Sequence, residues 1–180
     1  VARYPDDEYA FIRSYEPDEN NDYVFGYDAV HNEHIKNWVS LDDIFVNGYF
    51  KFFWAQDRTK LISFDTDNSI MKIMNSDGYV PNEGMVFYWF NIPEELTQTG
   101  EYYISPDAVL YAILPEDAET LSYPIANTGF FNVKADYITF DNITFSDSIY
   151  TMAIFNGNHV TVNCNDLSFC IFHIALFSNI

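Results

Sequence analysis

A chain of 180 residues, 48% of them hydrophobic, is long enough and apolar enough to build a packed core, which excludes a disordered tail. Its formal charge of −19, from 27 acidic and 8 basic residues, excludes nucleic acid and anionic membrane surfaces as natural partners and leaves polycations, divalent metals and neutral glycans open. Aromatic residues reach 19%, and no apolar run approaches the roughly 20 residues of a membrane span.

The chain begins at Val1 with no signal-like segment, so a processed protein or a piece of a longer one is expected. Residues 1–33 read as loop, because Pro5, Pro17 and acidic runs interrupt any periodicity. A brief helix is expected over Glu33–Val39. Ile44–Gln56 alternates and is aromatic, which predicts strand, turn and strand around Asn47-Gly48. Lys60–Phe64 and Ile70–Ile73 read as strands about a turn at Asp65–Asn68, and Gly84–Phe90 as another strand. Turns at Thr99-Gly100 and Pro106-Asp107 then bracket strands at Glu101–Ile104 and Val109–Leu114. Asp65, Asp67, Asn68 and Asp77 cluster hard oxygens, as calcium requires. They lack the Gly and terminal Glu of an EF-hand loop, and turn chemistry accounts for them equally well.

The last 44 residues repeat. Tyr137–Asn158 and His159–Ile180 align without a gap, placing Thr139 on Thr161, Ser146 on Ser168, Ile149 on Ile171, Ala153 on Ala175 and Phe155 on Phe177. Within each block apolar residues alternate, as in Ile138-x-Phe140 and Val160-x-Val162, which is strand periodicity. A period near 20 residues built from short strands predicts a solenoid, each block forming one coil of a parallel β-helix. The segment Ile113–Leu121 aligns loosely with Ile154–Val162, so the coils are expected to start near Ile113.

Three stretches carry a family resemblance. Asn91, Glu94, Glu95, Leu96, Gly100, Glu101, Tyr102 and Tyr103 form one motif, Leu110, Tyr111 and Pro115 a second, and Ala2-Arg3-Tyr4-Pro5 a third, with Asp6 where Asn is usual. Together they resemble right-handed parallel β-helix proteins of the pectate-lyase-like superfamily, many of them glycoside hydrolases and polysaccharide lyases. The resemblance implies an all-β fold: a β-rich capping region over 1–112, continuous with a short right-handed parallel β-helix over 113–180. It implies an activity on glycans without assigning catalytic residues, since the family's carboxylates lie on coils with no counterpart here. The final run, IFHIALFSNI, carries no Lys, Arg, Asp or Glu. An open solenoid end needs a polar cap, so further chain or another subunit is expected to cover the ends.

Glycoside hydrolysis needs paired carboxylates. Asp141 and Asp147 in a repeat block, with His173 in the next, are the candidates, and turn roles explain them as well. Glu94, Glu95 and Glu101 suit acceptors for strand-end amides. Trp54, Tyr88, Trp89, Tyr102 and Tyr103 suit either sugar stacking or a core. With only 8 basic residues, a polyuronate groove is hard to build. Asn142-Ile143-Thr144 is a glycosylation sequon, relevant in a secreted eukaryotic chain. Cys164 and Cys170 could bridge in an oxidising compartment or stay as buried thiols. The nearby His159 and His173 match no zinc template. The expectation is an extracellular or cell-surface protein that acts on or binds a glycan, with no cofactor except possible calcium. The alternative is a non-catalytic assembly protein that uses its solenoid as a stacking surface.

Overall fold

The computed structural model describes residues 1–75, 80–120, 131–146, 153–168 and 174–176. Two units, Val1–Ala118 and Glu119–Ile180, are built on different principles.

The first unit holds β1 (Arg3–Tyr4), β2 (Ala10–Phe11), β3 (Ser14–Pro17), β4 (Tyr23–Gly26), a one-turn helix at Ala29–His31, α1 (Asn32–Ile35), β5 (Phe45–Tyr49), β6 (Asp57–Asp65), β7 (Ile70–Ile73) and β8 (Val86–Phe90). Every pairing among these strands is antiparallel. Connections such as 18–22 and 66–69 are far shorter than the crossover a parallel neighbour requires. The sheet runs β1-β8-β5-β6-β7-β4-β3, with β2 also on β8.

Two residues separate β2 from β3, so Ala10–Pro17 behaves as one bent strand. Its first half pairs with β8 and its second with β4. Ile12 N–H donates to Met85 O at 2.8 Å, and Arg13 N–H donates to Gly26 O at 2.8 Å, carrying the ladder across the bend. The sheet thereby returns on itself as a small barrel, which leaves little open edge. On β6, a register shift between Leu61 and Ser63 turns the strand from β5 towards β7.

Alternation sends one residue in two inward. Ala10, Ile12, Tyr23, Phe25, Val46, Leu61, Met71, Ile73, Phe87 and Trp89 fill the interior, each 3% exposed or less. Trp89 donates its indole N–H to Met71 Sδ at 3.2 Å and meets Phe87 edge-on at 4.9 Å. Gly48 lies inside β5, where a Cβ would stand 2.4 Å from Val86 O and 2.6 Å from Phe87 Cβ. The glycine is there for close strand approach, so the turn expected at Asn47-Gly48 is instead a continuous strand, and the chain reverses at 50–56. Residues 1–33, expected as loop, supply four strands.

After β8 the chain forms a one-turn helix at Pro93–Glu95 and a hairpin of β9 (Tyr102–Ile104) and β10 (Leu110–Ala112). Asn91, at φ +63°, positions this hairpin. Its amide donates to Asp43 O and Ile104 O at 3.0 and 2.9 Å and accepts from Ile104 N–H at 2.9 Å, doing the work of a backbone ladder.

The second unit contains β11 (Phe131–Val133), β12 (Thr139–Ser146), β13 (Ala153–Phe155), β14 (Thr161–Ser168) and β15 (Ile174–Leu176). Two small parallel sheets result, β11-β13-β15 and β12-β14. Thr139 pairs with Thr161 and Phe140 with Val162, so the 22-residue offset is present as strand register. The turns share it: Asp136 accepts from Asn158 N–H at 2.7 Å, and Tyr137 stacks on His159 at 4.6 Å.

The expected right-handed parallel β-helix is not what these pairings build, and the resemblance to the pectate-lyase-like superfamily falls with it. The main body is an eight-stranded antiparallel sheet, and among the described residues parallel pairing is confined to sheets of three and two strands. An offset fixes which residues face each other, not how many coils follow. Val162, on the apolar side of the alternation, is 36% exposed. The motifs behind the resemblance have local work instead, as Asn91 shows. No described helix is long and apolar enough to cross a membrane.

Candidate functional site

Residues directly opposite on antiparallel strands share a face, as do residues two apart on one strand. The outer face of β1, β2, β8, β5 and β6 therefore reads in three rows. The first is Arg3–Phe90–Phe45–Lys60, the second Tyr88–Asn47–Arg58 and the third Phe11–Val86–Tyr49. Rows lie about 6.7 Å apart along the strands, and strands about 4.8 Å apart, so the face measures roughly 14 Å each way.

The composition of this face departs from that of the chain. Five of the ten positions are aromatic, although Phe90 among them is buried, three are basic, and none is acidic. The rings are held in fixed contacts: Phe45 stacks on Phe90 at 5.5 Å, Tyr88 leans on Phe90 at 6.0 Å and Tyr9 on Tyr88 at 5.9 Å. Asn47 donates its amide to the Tyr88 hydroxyl. At the far end Phe53, in the 50–56 connection, continues the strip against Tyr49 at 6.1 Å. Phe52 and Trp54 stack beside it at 5.3 Å, and Trp54 is 77% exposed.

The cations are positioned by the rings. Arg3 lies over Tyr88 at 3.8 Å and donates to the carbonyls of Pro5 and Glu8, which ties down the loop between β1 and β2. Arg58 lies over Phe90 at 4.6 Å and Phe45 at 5.1 Å. Among the described residues its guanidinium makes no hydrogen bond or ion pair. Lys60 sits 3.9 Å from Asp43, at the margin of the face.

A second polar cluster lies where α1 meets the barrel. Glu95 Oε1 accepts the indole N–H of Trp38 at 2.8 Å and lies 3.2 Å from His34 Nδ1. Tyr4 stacks on His34 at 4.0 Å, and its hydroxyl is 3.2 Å from His31 Nδ1. Burial, and then the Glu95 carboxylate, push the Tyr4 phenol up. Burial holds the His31 imidazole below its ordinary value, against the opposing pull of Asp28. Tyr27, buried beside it, is pushed up to about 12, and its hydroxyl donates to Asn32 at 2.8 Å. Each member has its partner within the fold, so the cluster reads as a mortise for α1.

The residues expected from sequence fall elsewhere. Asp141 is exposed on β12 opposite Asn163. Asp147 and His173 lie outside the described residues, as do Asp77 and Cys170. Asp65 accepts from the Asn68 amide at 2.7 Å and from its N–H at 3.2 Å, contacts that hold its carboxyl below the usual range and close the β6–β7 turn, which also holds Asp67. No group of three or more His, Cys, Asp or Glu converges among the described residues. Asn142 is exposed on β12 at φ +56°. Cys164 lies on β14, opposite Ile143. Glu94 accepts from Val39 N–H at 3.0 Å, and Glu101 from Thr97 and Gln98 N–H at 2.9 Å each, so both order loop amides.

Of the aromatics named for sugar stacking, Trp89 is fully buried, Tyr88 lies on the outer face, Trp54 is exposed, and Tyr102 and Tyr103 lie on β9. Sequence reasoning missed Arg58, Asn47, Phe45 and Tyr49. The alternation through FVNGY was the signal, had the glycine been taken as strand. Comparison with family models, curated proteins and solved structures returned no match.

Proposed function

We propose that this chain binds a glycan on the outer face formed by β8, β5 and β6. The observation that carries the reading is the row pattern, in which aromatic rings alternate with Asn47, Arg58 and Lys60 and no carboxylate interrupts them. Sugar rings present apolar C–H faces and a rim of hydroxyls. Held aromatic rings meet the first, and amide and guanidinium groups meet the second. Binding rather than bond cleavage fits the face, because it offers no acid or base of its own. A place outside the cell or at its surface goes with this reading.

Isothermal titration against a panel of oligosaccharides tests it. Tyr88→Ala and Tyr49→Ala should each weaken binding by about tenfold, the scale of an aromatic anchor. Undiminished binding by the double variant would sink the assignment to this face.

One observation favours the assembly reading. The β9–β10 hairpin exposes Tyr102, Ile104, Val109, Leu110, Tyr111 and Leu114, each between 41% and 52%. Such a patch suits a contact with other chains. A native mass well above 20.9 kDa that falls to it on Leu110→Lys would favour assembly through the hairpin.

A further inference from the structure

The geometry points to an acidic sugar as the ligand of the outer face, with its carboxylate held by Arg58. This rests on the glycan reading above and names the class of glycan.

The chain has eight basic residues against 27 acidic ones. Three of the cations outside the face have partners: Arg13 pairs with Asp28 at 2.7 Å, Lys72 with Asp18 and Asp22, and Lys51 donates to Asn82 at 2.9 Å. Arg58 is exposed, has no acidic neighbour in its row, and rests on two aromatic rings. A guanidinium over ring faces keeps its N–H edge available, and that edge matches a carboxylate in a two-point hydrogen bond. Asn47 stands directly across from it and Lys60 two residues along the same strand, so donors flank the anion on the face, while Asp57 before Arg58 and Asp43 beside Lys60 bound the site. A sugar ring on Tyr49, two residues from Asn47 on the same strand, would lie one row from that edge.

Charge also limits the ligand's length and pattern. At physiological ionic strength screening acts over about 8 Å, so one anion at Arg58 feels Arg58, Lys60 and the nearby Asp57 and Asp43, and little of the remaining acidic surface. A continuous polyuronate would run off the face onto an acidic surface. The ligand that fits carries an acidic sugar flanked by neutral ones.

The test is a paired panel: oligosaccharides bearing one glucuronate, galacturonate or sialate among neutral sugars, each beside its twin with the carboxyl reduced to the alcohol. Titration of the full chain should show at least one acidic member binding roughly ten- to a hundredfold more tightly than its twin, the range of a charge-assisted hydrogen-bonded contact. Arg58→Gln should abolish that ratio by weakening the acidic member alone. Arg58→Lys should keep part of it, because a point charge replaces a two-point fork. Equal affinity for acidic and reduced twins overturns the acidic-sugar inference and leaves the glycan reading standing, and a ratio that survives Arg58→Gln overturns the assignment of the carboxylate to Arg58. No binding by any member of the panel overturns both. Arg58 is exposed, so a melting temperature close to that of the parent chain verifies that Arg58→Gln remains folded.

Discussion

The two units use the same material, short alternating strands rich in Phe, Ile and Val, and pair it in opposite ways. In residues 1–118 several strands are joined by short connections, as at 18–22 and 66–69, and all run antiparallel and close around ten side chains that are essentially dry. In 119–180 the strands pair in parallel at an offset of 22 that slips to 21 between β13 and β15, where Ala153 meets Ile174 rather than Ala175, and what can be seen of their side chains is half-buried or exposed, Phe140 and Val162 included. Connection length decides between these outcomes. A link of four or five residues can only reverse the chain, while one near twenty can bring it round to the same direction. Closure then decides where the stability resides, because buried apolar area scales with how completely a sheet encloses its own face.

The sharpest way to break this comparison is to remove one ring from each unit. Trp89→Ala should cost about 3–5 kcal/mol in a urea titration, the loss expected where a large buried side chain leaves a cavity. Phe140→Ala should cost about 1 kcal/mol, typical of a half-buried position. Equal losses would mean that the second unit encloses a core comparable to the barrel's. Next in size is Gly48→Ala, at about 1–3 kcal/mol, because the added methyl meets the β8 backbone and neither strand can retreat without opening the barrel. A neutral result would show that β5 and β8 are less closely seated than the contacts state.

Asn91→Ala should cost about 1–2 kcal/mol, since it strands the Ile104 N–H and two carbonyls at once. Amide hydrogen exchange at Ile104 should accelerate while exchange at Phe87 stays slow. The smallest effect concerns pH. Burial holds His31 below its ordinary 6.5, so the unfolded chain takes up the proton first. The barrel's stability is therefore complete above about pH 6.5 and declines as pH falls through that value. Melting temperatures measured from pH 7.5 to 5 should fall, and His31→Phe should flatten the portion of the curve nearest 6.5.

Much of the local structure was legible. Ile70–Ile73 is a strand as read, and the turns at Thr99-Gly100 and Pro106-Asp107 lie where Gly, Pro and Asp put them. Pairing was not legible, because alternation reports that a strand has two faces and is silent on its neighbour. The repeat drew attention to the 44 residues that resemble each other, whereas the larger unit is held by strands that share no pattern. Asn47-Gly48 misled for a definite reason. The same dipeptide that permits a tight turn also permits close approach, and only the position of Val86 and Phe87 tells the two apart. The candidate face was hidden for a related reason. Arg3, Tyr88 and Arg58 are far apart in the chain and become neighbours only through register.

The bent strand Ala10–Pro17 sets a timetable for the chain as it is made. Its second half can pair at once, since Ser14 meets Gly26 only twelve residues later (26 minus 14). Its first half must wait for β8, because Ala10 meets Phe87 across 77 residues (87 minus 10). At synthesis rates of about 5–20 residues per second, that interval is roughly 4–15 s. Throughout it the ladder partners of Ala10, Phe11 and Ile12 are unmade. The acidic run Asp6-Asp7-Glu8 lies directly before them, and charge beside an unpaired apolar strand disfavours its association with other chains.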